Sequence, residues 1–185
     1  MRLSVRDRGE SVATLRWIHV RLMETLAAWV PTTPEMEVKL LFGAHIWDVA
    51  QHADALGKRT FELRMPLQHS LEPNDPYKQL LAELAQVTDT SQRIAGFYDG
   101  VLVALANRYR SYLSVTDSLL DAPTVRIFEH VASEQARMIR EAHELVAQLP
   151  ALAANDGAAK QFVERESALE TFVAPRAEPA TVGAS

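Results

Sequence analysis

The sequence predicts an all-α protein, and three observations support that class. Apolar residues recur with the 3.6-residue helical period along most of the 185 residues, whereas the alternation typical of strands is almost absent. Prolines separate the periodic stretches, as expected at helix ends. The composition, 48% hydrophobic and 23% charged residues, is ordinary for a globular domain. We therefore expect one helical bundle over residues 1–150, followed by an accessory helix and a loose C-terminal tail over 151–185.

Four long helices are predicted, over residues 10–30, 34–64, 91–115 and 121–149. Pro31 and Pro66 end the first two, and Asp121 is placed to cap the fourth. The connection between the second and third helices contains a short amphipathic piece and is too long for a tight turn, so it should cross along the bundle. An extra helix is predicted near residues 158–172.

Composition and charge exclude several classes of function. The net charge is −5 and the basic residues are scattered, which argues against a nucleic-acid partner. No apolar run approaches the ~20 residues that span a bilayer, and the N-terminus has no secretory signal, so we expect a cytoplasmic protein without a membrane partner. Because the chain has no cysteine, any metal would need His, Asp or Glu ligands.

The second predicted helix carries a stripe of polar residues on its apolar face. His45, His52 and Arg59 are spaced by seven residues, so they lie about 20° apart around the helix axis, and Asp48 lies between the two histidines in height. The same face carries Val38, Leu41, Leu56 and Leu63. The polar stripe should therefore point into the bundle, where unpartnered polar groups are costly.

The stripe suggests catalytic roles for His52, Asp48 and Arg59. Asp48 and His52 are four residues apart, so the carboxylate could hydrogen-bond to the imidazole and make it a general base. Arg59 could clamp a substrate carboxylate or form an internal ion pair. The alternative is that these groups only satisfy one another in the core.

Other helices offer residues that could face the stripe. His19 lies on the inner face of the first helix and Tyr98 is the best placed polar residue of the third. On the fourth helix His130 and Glu134 are four residues apart, although His130 lies at the edge of the apolar face and is expected to be exposed. These residues are the further candidates for an internal pocket.

Two stretches resemble the ferritin-like superfamily: HIWDVAQHADALGKRTFELR in the second helix and DAPTVRIFEHVASEQARMIREAHELV in the fourth. The resemblance covers most of residues 10–149. It implies a ferritin-like four-helix bundle with a long crossover between helices 2 and 3 and an extra C-terminal helix. Members often bind two irons, through glutamates on two helices and Glu-x-x-His on the other two. This chain has no Glu-x-x-His, and Arg137 stands three residues after Glu134.

The predicted metal ligands are His45, His52, Glu134 and Asp48. Iron, manganese or zinc would accept these nitrogen and oxygen donors. The function expected from this set is a metal-dependent oxidoreductase that acts on a small molecule, or a metal-free acid–base catalyst. The alternative is a metal-free bundle that binds a small ligand or a protein partner.

The three tryptophans, Trp17, Trp29 and Trp47, are predicted to pack in the core or at an interface. Alanine-rich helical faces pack closely, which favours a homodimer.

Overall fold

The computed structural model describes residues 3–152 and 157–175. Within these ranges the chain forms the α-helices α1 (Val5–Trp29), α2 (Met36–Glu62), α3 (Asp75–Ala85), α4 (Thr90–Ile94), α5 (Val103–Val115), α6 (Ala122–Gln148) and α7 (Gly157–Ser167). A π-helical segment (Ala95–Leu102) joins α4 to α5 without a break. The all-α prediction is confirmed, and the β contact found in the described ranges is an isolated bridge between Pro73 and Val173.

Side-chain pairs fix the direction of α2 against α6. His45 bonds to Glu141, and Arg59, two heptads further along α2, bonds to Asp121 at the start of α6. Increasing residue numbers on α2 thus meet decreasing numbers on α6, so these two helices are antiparallel.

The third long helix, formed by α4, the π-helical segment and α5, is antiparallel to α1. The ring of Trp29 contacts that of Phe97, whereas His19, earlier in α1, meets Tyr109, later in α5. Since a short 3-10 turn connects α1 to α2, these neighbours are antiparallel as well. The helices α1 and α6 therefore point one way, and α2 and the third long helix point the other way.

Residues 63–89 form the long connection between the second and third long helices, and α3 lies within it. The C-terminal α7 covers the third long helix, where Arg108 bonds to Glu166. Two glycines of the π-helical segment permit α3 and α7 to approach it closely. A Cβ on Gly96 would lie 2.8 Å from Leu84 of α3, and one on Gly100 would lie 3.3 Å from Phe162 of α7.

Two helix ends differ from their predictions. The first helix begins earlier than residue 10, because Ser4 and Asp7 form a reciprocal capping box at its N-terminus. Asp121 precedes α6 as predicted, but its side chain makes no cap hydrogen bond. That carboxylate instead accepts hydrogen bonds from side chains that include Arg59 of α2 and Tyr112 of α5.

The core is a continuous apolar cluster along the four long helices, which includes Trp29, Phe42, Phe97 and Phe128. In the part of the chain that the structure describes, none of the helices combines the length and apolar character needed to cross a lipid bilayer. The tail predicted to be loose falls mainly on residues 176–185, which lie outside the described residues.

Candidate functional site

Three polar layers cross the core at one-heptad intervals along α2. The first layer is centred on His45, the second on His52 and the third on Arg59, and all three side chains are buried. The prediction that this stripe points into the bundle is therefore confirmed for the two histidines and the arginine. The three layers differ in their partners: His45 and Arg59 are hydrogen-bonded to other side chains, whereas His52 is not among the described residues.

The first layer contains a hydrogen-bonded chain from the surface to the interior. Nε2 of His45 lies 2.9 Å from the Glu141 carboxylate, and Nδ1 lies 2.7 Å from the Tyr98 hydroxyl. Because a carboxylate can only accept, Nε2 carries the hydrogen and Nδ1 accepts from the phenol. We call this Glu141–His45–Tyr98 chain the relay. Tyr98 is fully buried, whereas the Glu141 side chain is 39% exposed.

Arg137 binds the carboxylates beside the relay. Its guanidinium donates to Asp48 at 2.8 Å, to Glu141 at 2.9 Å and to Glu134 at 3.2 Å. These carboxylates come from both α2 and α6, so one cation ties the two helices together. The hydrogen bonds that Arg137 donates to Asp48 and Glu141 in turn raise the pKa of Arg137.

The first layer holds a neutral imidazole next to an ionised carboxylate. Burial lowers the pKa of His45, although the hydrogen bond to Glu141 opposes that shift. The hydrogen bond from His45 lowers the pKa of Glu141, and Arg137 lowers it further. Burial raises the pKa of Tyr98 well above its usual value, so the phenol keeps its proton at neutral pH.

The second layer joins α1 to α5 through a histidine–tyrosine pair. Nδ1 of His19 donates to the Leu15 carbonyl at 2.8 Å, and Nε2 accepts from the Tyr109 hydroxyl at 3.1 Å. Gln135 of α6 is also buried, and its Oε1 has no hydrogen-bond partner among the described residues. His19, a predicted pocket residue, thus lies in the core with both nitrogens satisfied.

His52 in the same layer has no hydrogen bond at either ring nitrogen among the described residues. The predicted hydrogen bond between His52 and the Asp48 carboxylate is absent, because that carboxylate accepts from Arg137 on α6. The ring packs edge-on against His19, with centroids 5.6 Å apart. Burial lowers the pKa of His52 to about 4, and that of His19 to about 3, so both imidazoles are neutral at pH 7.

The third layer is a buried ion pair between Arg59 and Asp121, and Nε of Arg8 lies 3.8 Å from the same carboxylate. Arg59 donates to Asp121 at 2.9 Å and to the Thr124 hydroxyl at 2.7 Å. Tyr112 and Thr116 also donate to the Asp121 carboxylate, at 2.7 and 2.8 Å. Burial alone would raise the pKa of Asp121, but these hydrogen bonds outweigh it and lower the pKa.

Arg59 is therefore not free to clamp a substrate. Its guanidinium is held by Asp121 and Thr124 inside the bundle and by Glu62 at the surface. Of the two roles predicted for Arg59, the structure has the internal ion pair.

The four predicted metal ligands do not converge on one point. His45 bonds to Glu141 and Tyr98, Asp48 and Glu134 bond to Arg137, and His52 lies one heptad away. His130 is exposed on α6. Among the described residues, no group of three or more His, Asp or Glu side chains is arranged to hold a metal ion.

Most partners in these layers were not predicted as site residues: Glu141 and Arg137 in the first layer, Tyr109 and Gln135 in the second, and Asp121, Thr124, Tyr112 and Thr116 in the third. A signal existed for Glu141, because it follows Glu134 by seven residues with Arg137 halfway between, which places all three on one face of α6. Gln135 and Tyr109 carry no comparable motif, and only the packing of α5 against α6 and α1 brings them to the second layer.

Comparison with models of protein families, with curated proteins and with solved structures finds no match to this chain. The geometry of the three layers thus supplies the argument about function.

Proposed function

We propose that the protein is a bundle of ferritin-like plan that carries out proton-transfer chemistry on a small molecule without a bound metal. The directions of the four long helices, with one long connection between the second and third, are those of the ferritin-like plan. The reacting groups in this proposal are Tyr98, His45 and Glu141. They replace the Asp48–His52 pair and Arg59 that the sequence suggested.

The observation that carries the proposal is the relay itself. A buried phenol, a neutral imidazole and a solvent-reaching carboxylate are joined by bonds of 2.7 and 2.9 Å. Each donor faces an acceptor, so Tyr98 can pass its phenolic proton to Nδ1 of His45 while Nε2 of His45 passes its own proton to Glu141. This arrangement connects a buried phenolic proton to a carboxylate that reaches solvent, and it leaves His45 neutral.

The placement of Arg137 supports a metal-free site. Its guanidinium occupies the position between Asp48, Glu134 and Glu141 that a cation would take. A metal ion bound by the same carboxylates would have to displace this arginine or tolerate its positive charge at close range. As placed, these side chains do not fit iron, manganese or zinc.

The proposed function predicts that the Tyr98 hydroxyl proton exchanges with solvent faster than that of Tyr109, although both phenols are buried. We expect a difference of about a hundredfold, the usual contribution of a positioned acid–base group. Glu141→Gln should abolish the difference, because glutamine keeps the hydrogen bond from His45 but cannot take a proton. Hydroxyl exchange measured by NMR on tyrosine-labelled protein checks this result, and equal rates in the wild type would contradict the proposal.

The same preparations decide between this proposal and the predicted metal-dependent oxidoreductase. Elemental analysis of the wild type should find no stoichiometric iron, manganese or zinc, and titration with Mn²⁺ should show no saturable site. Arg137→Gln frees three carboxylates and should create Mn²⁺ binding. The matched control is Arg140→Gln, three residues further along α6, where the guanidinium donates to the Ala136 carbonyl. One metal per wild-type chain, lost on Glu134→Gln, would favour the oxidoreductase.

A second candidate function is self-association through the outer face of α2. Met36, Leu40 and Trp47 form a stripe there with exposures of 61%, 68% and 66%, so Trp47 is not in the core. Gly43 lies between them, and a Cβ there would touch nothing. Exposed apolar stripes of this kind mark interaction sites, and a single helix can meet its own copy across a two-fold axis.

We expect Trp47→Lys to shift the protein towards monomer if α2 forms a homodimer. Sedimentation velocity over a range of protein concentrations measures the shift. The matched control is Leu120→Lys, because Leu120 is 67% exposed but lies outside α2, between α5 and α6. A wild type that is monomeric at every concentration removes the dimer and leaves the relay proposal untouched.

A further inference from the structure

The bundle contains four tyrosines, and their hydroxyl groups differ in their hydrogen-bond partners. Tyr77, Tyr98 and Tyr109 are almost completely inaccessible, and Tyr112 is only slightly exposed. Removing an electron from a buried phenol is favourable only if its proton can leave at the same time, since a phenol radical cation in a low-dielectric core is very costly. The four environments differ in whether they offer the proton a way out.

For three of the four tyrosines, the described residues contain no hydrogen-bonded path that carries the proton to solvent. The Tyr77 hydroxyl has no hydrogen-bond partner in the described part of the chain. Tyr109 donates to His19, but the other nitrogen of that imidazole donates to a backbone carbonyl, which cannot take up a proton. Tyr112 donates to Asp121, whose carboxylate is fully buried and already holds the Arg59 ion pair together.

Tyr98 is the exception. Its hydroxyl donates to a neutral imidazole whose other nitrogen donates to a carboxylate that reaches solvent. If the phenolic proton moves to Nδ1 of His45 and the Nε2 proton moves to Glu141, His45 returns to a neutral imidazole. The change of charge then appears at Glu141, where water can solvate it.

We propose that Tyr98 is a redox-active residue that is oxidised to a neutral phenoxyl radical with its proton passed along the relay. One electron leaves Tyr98 for an outer-sphere one-electron oxidant, the phenolic O–H bond breaks, and an N–H bond forms at Nδ1 of His45. The Nε2–H bond of His45 breaks and an O–H bond forms on Glu141. Before the step the three groups are phenol, imidazole and carboxylate; afterwards they are phenoxyl radical, imidazole and carboxylic acid. The inference rests on the relay of the proposed function and couples the loss of an electron from Tyr98 to the proton transfer.

The backbone around Tyr98 is consistent with a specialised position. The residue lies in the π-helical segment, and such segments are frequent at functional sites. Phe97 packs edge-on against Tyr98 with ring centroids 5.0 Å apart, and Trp29 packs against Phe97. These apolar rings shield the phenol from water, which would otherwise quench a radical.

The test is freeze-quench electron paramagnetic resonance of the full chain after oxidation by photogenerated tris(bipyridine)ruthenium(III). Ring-deuterated tyrosine identifies tyrosyl signals and separates them from radicals on the exposed Trp47. We expect a neutral phenoxyl signal in the wild type and in Tyr109→Phe, and its loss in Tyr98→Phe. Glu141→Gln, which keeps the hydrogen bond but cannot accept a proton, should lower the rate of radical formation by about a hundredfold.

A signal that persists in Tyr98→Phe, or an equal rate in Glu141→Gln, would overturn the inference. Glu141 is half-exposed, so Glu141→Gln should fold even if changes at Tyr98 disturb the core; circular dichroism verifies both variants. The hydroxyl-exchange measurement separates the two proposals. Rapid exchange at Tyr98 without a radical removes the redox role and leaves proton transfer, whereas slow exchange removes the relay on which both depend.

Discussion

Replacing Asp121 with alanine should lower the free energy of unfolding by about 3–5 kcal/mol, because removing one partner leaves a buried, uncompensated charge on Arg59. Asp121 is fully buried, and Arg59, Thr124 and Tyr112 all donate to its carboxylate. The loss would consume a large part of the stability of an ordinary domain. Urea denaturation followed by circular dichroism measures the change.

The control for this prediction is Glu62→Gln, which removes the surface partner of Arg59 and should cost under about 1 kcal/mol. The double variant Arg59→Met/Asp121→Leu, which removes this pair, should recover part of the loss, since an ion pair replaced by apolar groups is often neutral. Recovery should be incomplete, because Arg8, whose Nε lies 3.8 Å from the Asp121 carboxylate, is also buried and loses its acidic neighbour. An Asp121→Ala protein as stable as the wild type would show that the ion pair contributes little.

Acidification from pH 7 to pH 5 should lower the free energy of unfolding by about 4 kcal/mol through His19 and His52. Their pKa values lie near 3 and 4 in the folded protein, against 6.5 for an ordinary histidine. A group with a lowered folded pKa binds fewer protons when folded, so stability falls as the pH drops below 6.5. The fall continues until the folded values are reached. Urea denaturation across this pH range measures the slope.

His52→Leu should halve that pH dependence. At pH 7 the variant should be no less stable than the wild type, because the nitrogens of His52 have no hydrogen bond to lose. An identical pH profile in the wild type and the variant would show that folding does not lower the pKa of His52.

The helix plan was accessible from the sequence because prolines and apolar periodicity act locally. Pro66 follows the end of α2 by a few residues, and Pro123 lies in the first turn of α6. The π-helical segment was not predictable, since its wider turn rotates Tyr98 relative to Tyr109 without any change in the pattern of apolar residues. The ferritin-like assignment stays a prediction.

The inward stripe was also predictable, but its partners were not. His45, His52 and Arg59 share a face of α2 by spacing alone, whereas their bonds depend on how α6 packs. Asp48 illustrates the difference, because the nearest candidate partner along its own helix was His52. The guanidinium of Arg137 on α6 carries a full charge, and the Asp48 carboxylate accepts its hydrogen bond instead. Local spacing cannot rank partners that come from another helix.

The one-heptad spacing of the layers also determines the axial alignment of α2 against α6. A slip of α2 by seven residues, about 10.5 Å, would keep the same face of α2 against α6, so apolar residues would still meet apolar residues. It would bring His52 opposite Glu141 and move Arg59 away from Asp121, which would strand a carboxylate in the core. The buried Arg59–Asp121 ion pair therefore destabilises a slipped bundle that hydrophobic packing alone would tolerate. It sets the axial register of α2 against α6.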